Sequence, residues 1–187
     1  MFDDELDNKL FMQRFIKKAL FYGLFLFLGM GLQTGVQAQT TDYKFHSVFI
    51  YNFTKYIQWP TEQQAGDFVI GVLGNSSISA DLEKMAMNKT VGTQKIVVKK
   101  FKSVSEIADC HILFIPSNSN VSFDDVQNKF KGKPTLLITE KTGLAQKGSG
   151  INFVLQDNKW KFELNEAATQ SAGLKVSKEL SKLAITV

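Results

Sequence analysis

The chain has 187 residues, 44% hydrophobic, 21% charged and 12% aromatic, with 13 Gly and 3 Pro. That composition excludes a disordered tail, a collagen-like fibre and a multidomain enzyme. Its 22 Lys and Arg against 18 Asp and Glu give a formal net charge of +4. Neither sign gathers into the kind of block a nucleic-acid-binding arm uses, so no nucleic-acid partner is expected.

Arg14, Lys17 and Lys18 precede an apolar run over residues 19–32, and Val36-Gln37-Ala38 follows before a polar stretch. This is the order of a secretory signal peptide, with cleavage expected after Ala38. A spanning helix needs roughly 20 apolar residues, and this run is shorter and interrupted by Gly23, Gly29 and Gly31. The alternative is an uncleaved amino-terminal anchor holding the same domain outside the inner membrane. Asp3, Asp4, Glu5 and Asp7 fit poorly ahead of the basic cluster, and a start at Met12 removes the conflict. The organisation expected is therefore a signal peptide over 1–38 and a single domain over 39–187.

Within that domain, Phe45, Val48, Phe49, Phe53, Tyr56 and Ile57 recur at helical spacing until Trp59-Pro60 ends the pattern. Phe68 to Leu73 is a continuous apolar run stopped by Gly74, as in a strand buried on both faces. Residues 76–88 read as a helix with Ile78, Leu82 and Met85 on one side, 95–99 as a strand, and 103–108 as a short helix capped by Ser103. Residues 111–115 read as a second buried strand stopped by Pro116, followed by a helix from Ser122 and a strand over 135–139. Such alternation predicts a mostly parallel sheet covered by helices on both faces. Residues 151–155 and 159–164, separated by Gln156-Asp157-Asn158, predict an antiparallel hairpin near the carboxyl end. Asn165 is placed to cap the helix that follows and Ser177 a last helical segment.

The residues that carry chemistry are few. Gly74, Asn75 and Ser76 lie between a buried strand and a helix, where a small ligand or phosphate could bind, but the spacing matches neither a dinucleotide fingerprint nor a P-loop. His46 and His111 belong to no metal-ligand spacing, so no metal or other cofactor is expected; His46 reads as a solvated or boundary residue and His111 as a hydrogen-bonded strand residue. Glu140, Glu163 and Glu166 sit near predicted element ends, where capping and helix-dipole roles are simpler than acid–base catalysis. The single cysteine, Cys110, precedes a buried strand and reads as a core thiol that can form no intrachain disulfide. Lys95, Lys99, Lys100 and Lys102 read as a solvated strand edge. No catalytic constellation is assembled from these residues, so an enzyme is not expected.

Several segments together resemble the YfiR-like family of bacterial periplasmic regulators. They are Phe49-Ile50-Tyr51-Asn52-Phe53-Thr54-Lys55-Tyr56-Ile57-Gln58-Trp59-Pro60, Ile70-Gly71-Val72-Leu73-Gly74, Cys110-His111-Ile112-Leu113-Phe114-Ile115 and Leu136-Leu137-Ile138-Thr139-Glu140. Gly150-Ile151-Asn152-Phe153, Phe162-Glu163-Leu164-Asn165 and Ala172-Gly173-Leu174 continue the likeness. The resemblance implies an α/β domain, often a homodimer, that binds and restrains the periplasmic part of an inner-membrane signalling protein. In the best-known members that partner is a diguanylate cyclase, whose release raises cyclic di-GMP and favours biofilm. A sensor histidine kinase is an alternative partner, and a periplasmic small-ligand receptor using Gly74, Asn75 and Ser76 is an alternative function. Tyr51, Tyr56 and Trp59 are candidate partner-binding aromatics, with core packing as the competing role and the favoured one for Tyr56. Asn152, Phe153, Phe162 and Asn165 are expected to hold the closing hairpin and helix together, each Asn with a backbone partner if buried.

Overall fold

The computed structural model describes residues 43–187; the expected signal peptide and the Met12 start lie outside them. The chain opens with α1 (Tyr43–Tyr56), whose buried residues His46, Ser47, Ile50 and Phe53 follow the three-and-four spacing of one helix face. Val48, expected on that face, is 55% exposed. It falls between the 46, 50 and 53 positions, and so points away from the sheet. The helix stops at Tyr56, earlier than Trp59-Pro60 predicted, because Ile57–Gln58 (β1) pairs antiparallel with β9 (Lys175–Val176) and the Ser177 amide donates to the Tyr56 carbonyl.

The remaining elements are β2 (Phe68–Leu73), α2 (Ile78–Ala86), β3 (Thr90–Val91), β4 (Gln94–Phe101) and β5 (Ile112–Ile115). They continue with α3 (Phe123–Phe130), β6 (Leu136–Thr139), β7 (Ile151–Gln156), β8 (Lys159–Leu164), α4 (Glu166–Ser171), α5 (Lys178–Leu183) and β10 (Ile185–Thr186). The sheet is mixed, in the order β10-β8-β7-β6-β5-β2-β4-β3. Pairing is parallel from β4 through β7 and between β8 and β10, and antiparallel at β3–β4 and β7–β8. The closing hairpin is present and its loop is tighter than expected. Gln156 pairs with Lys159, leaving Asp157 and Asn158 at φ 53° and 57°, the left-handed pair a two-residue hairpin turn requires.

All four residues of β5 are buried, and so are all four of β6. Alternate strand residues feed two apolar clusters. Ile112, Phe114, Leu136 and Ile138 join Ile50 and Phe53 of α1 and Ile78 and Leu82 of α2. Leu113, Ile115 and Leu137 join Phe123, Val126 and Phe130 of α3. The helix expected over 103–108 is instead a pair of overlapping turns, Glu106 amide to Ser103 carbonyl and Ile107 amide to Val104 carbonyl. A six-residue segment returns too few helical hydrogen bonds for the backbone it fixes, and the Glu106 side chain is drawn back onto the Lys102 amide. Asn165 and Ser177 cap α4 and α5 as expected, accepting from the Ala168 and Leu180 amides. Gly173, at φ 73°, closes α4 with the Leu174 amide on the Thr169 carbonyl, a Schellman end.

Candidate functional site

Three groups of residues follow from this frame. At the carboxyl end of β6, the first turn of α1 is pinned to the sheet by Glu140. Its Oε1 accepts from Tyr43 Oη at 2.8 Å, from the Ser117 amide at 2.9 Å and from Ser117 Oγ at 3.2 Å. His46 Nε2 stands 3.8 Å from Oε2, an ion pair whenever the imidazole is protonated. His46 is 0% exposed, not the solvated residue expected. Its ring lies against Phe153 and Trp160, with centroids 4.1 and 4.6 Å away. The signal for this was legible, since positions 43, 46, 50 and 53 form one helix stripe. The distant partners, Ser117 and Glu140, were not.

Beside this clamp runs a second buried network. Thr139 Oγ1 donates to Asn152 Oδ1 at 2.7 Å, and Asn152 Nδ2 donates to Glu163 Oε2 at 2.8 Å. Asn152 therefore finds side-chain partners where a backbone one was expected. Asn165 does meet the backbone, donating to the Ala145 carbonyl at 2.8 Å while capping α4. Phe153 and Phe162 face each other across the hairpin and pack around Phe53, Phe162 edge-on, which holds the hairpin to α1.

The second group is the outward side of α1. Tyr51 is half-buried at the margin of that side and packs against the main core, with Lys55 and Lys89 ammonium groups 4.7 and 5.6 Å from its ring centre. Tyr56 is 37% exposed, contrary to the core packing favoured for it, because α1 ends there and its side chain leaves the 46-50-53 stripe. Trp59 differs from both, being only 6% exposed. Its Nε1 donates to the His111 carbonyl at 3.1 Å and its ring meets Phe68 edge-on.

His111 itself is the centre of that junction. The Val69 amide donates to Nδ1 at 3.0 Å, Nε2 lies 2.8 Å from the Gln63 carbonyl, and the ring stacks on Phe68. These partners require a neutral ring with its proton on Nε2, and burial pulls its pKa below the usual histidine value. Cys110 is buried, its thiol pushed up to about 12 chiefly by burial and then by Asp109, so it is a packed thiol and no nucleophile.

The third group, Gly74, Asn75 and Ser76, sits where β2 ends. The Gly74 amide donates to the Phe101 carbonyl, the Ile78 amide donates to Ser76 Oγ, and Asn118 Nδ2 donates to the Asn75 carbonyl. Three cavities of the described domain lie elsewhere. One of about 560 Å³ is lined by α4 and α5, one of about 620 Å³ lies between α3 and α4, and one of about 360 Å³ lies beside Trp59 and Gln94. Among the described residues no three His, Cys, Asp or Glu side chains gather as a metal site would need, and no helix is long and apolar enough to cross a membrane.

What the described residues define is a mixed α/β domain whose opening helix is clamped to the sheet at its first turn and offers exposed side chains on its far side. The chain belongs to the YfiR/HmsC-like family, whose profile matches residues 43–185. A search of curated proteins finds no match.

Proposed function

We propose that this protein is an exported, non-enzymatic regulator that binds the periplasmic part of an inner-membrane signalling protein, a diguanylate cyclase, and restrains it, acting as a homodimer. The observation that carries this reading is the family match over 43–185, essentially the whole described domain. Tyr51 and Tyr56, with Val48 beside them, supply the partner surface on α1; aromatic side chains on a rigid helix are favoured interface anchors. Trp59 acts in folding, because its indole is committed to the core.

The test is crosslinking in cells followed by capture of the tagged full-length chain from the envelope. Recovery of a membrane cyclase, weakened about tenfold or more by Tyr56→Ala with unchanged melting and by Tyr51→Ala beyond its loss of folded protein, is the expected result. Recovery of the chain alone, while a control complex is captured in the same membranes, would overturn it.

A further inference from the structure

The strand β4 borders the sheet, and only its first two residues are covered on the outer side: Gln94 pairs with Val91 and Lys95 with Thr90. Successive residues of a strand turn their amide and carbonyl groups to opposite edges. Phe101 offers its carbonyl to Gly74 at the end of β2, which places the odd-numbered residues of β4 on the inner side. Gln94, bonded to β3 across the Gly92-Thr93 turn, belongs to the outer set. The register of β3 sets Lys89 opposite Ile96, so the outer amides and carbonyls that face no strand among the described residues are those of Val98 and Lys100. The stretch has defined ends. β3 closes one, and at the other the Lys102 amide is already taken by Glu106 Oε2 at 3.0 Å.

The side chains along this edge are basic. Lys95 and Lys99 are exposed on one face, with Val97 half-buried between them. On the other face follow Ile96, the half-buried Val98 and the exposed Lys100, which pairs with Glu83 at 2.9 Å. Edge lysines discourage pairing with a second copy, since two such edges would set lysine against lysine. The same charges favour a strand of opposite sign.

We propose that the outer edge of β4, from Val97 to Lys100, is a docking site for an extended acidic segment of another protein, which joins the sheet as an added strand. Main-chain bonds to Val98 and Lys100 supply the pairing, and carboxylates near Lys95 and Lys99 supply the selectivity.

The experiment follows amide hydrogen exchange in the isotope-labelled full-length chain. The probes are an end-blocked peptide of about eight residues alternating valine and glutamate, and its counterpart with lysine in place of glutamate. The acidic peptide is expected to slow exchange at Val98 and Lys100 by roughly tenfold or more, and the basic peptide to leave it unchanged. Val98→Pro removes an outward amide, a replacement that edge strands tolerate, and should abolish the protection while β5 and β6 amides keep theirs. Lys95→Glu combined with Lys99→Glu, which leaves the backbone untouched, should transfer the protection to the basic peptide. No protection at millimolar acidic peptide would overturn the proposal. Equal protection by both peptides, or protection that rises with protein concentration alone, would also overturn it, the latter by identifying a second copy as the occupant.

Discussion

Replacing Glu140 by alanine removes the acceptor that ties the first turn of α1 to the ends of β5 and β6. Ser117 is exposed, so water replaces its two bonds and they contribute little. The contacts that matter are those with Tyr43 Oη at 2.8 Å and with the fully buried His46 at 3.8 Å. A charge-assisted bond contributes about 1.5–3 kcal/mol, and the His46 contact adds up to about 1 kcal/mol, for a loss of about 1.5–4 kcal/mol. Urea denaturation would measure it, with exchange of the α1 amides showing where the loosening occurs. Tyr43→Phe should cost less than Glu140→Ala, and the double variant should cost less than the sum of the two. Strict additivity, or a Glu140→Ala loss below about 0.5 kcal/mol, would refute the clamp.

Trp59→Phe keeps most of the packing but deprives the His111 carbonyl of its donor, so denaturation should show a loss of about 1–3 kcal/mol, with partner affinity of the folded fraction unchanged. His111 has a lowered pKa in the folded state, so its unfolded form binds the proton first. Its contribution is complete above the ordinary value near 6.5 and is lost as pH falls below it, with a slope approaching about 1.4 kcal/mol per pH unit. Denaturation midpoints between about pH 5 and 7.5 test this, and the slope should flatten in His111→Gln. Gly71→Ala would put a methyl 2.9 Å from the Phe101 ring and 3.0 Å from Leu113 Cδ1; thermal melting should register a loss of about 1–3 kcal/mol.

Local signals carried much of the fold. The runs at Phe68–Leu73 and Ile112–Ile115, the Asn165 and Ser177 caps and the closing hairpin, though not the two-residue length of its turn, each depend on neighbours within a few residues, and each was readable. What escaped depends on distant partners. Ile57-Gln58 reads as the end of a helix until Lys175-Val176, over a hundred residues later, is there to pair with it. The Glu140 clamp is of the same kind, since the partner of Tyr43 lies 97 residues away. At the candidate site, apolar character alone misjudged Val48 and Tyr56. An amphipathic count records which residues are apolar, but the buried stripe runs through His46 and Ser47, which such a count omits.

The small β1–β9 sheet bears on how this chain acquires its structure. It joins the residues just after α1 to those just before α5, so the earliest part of the domain is fastened by nearly the last. A nascent chain that has emerged only as far as Gly173 has no strand to receive Ile57 and no Ser177 amide for the Tyr56 carbonyl. Contacts of such long sequence separation form late and slowly. The carboxyl end of the opening helix thus gains its last backbone partners only once that closing segment is present.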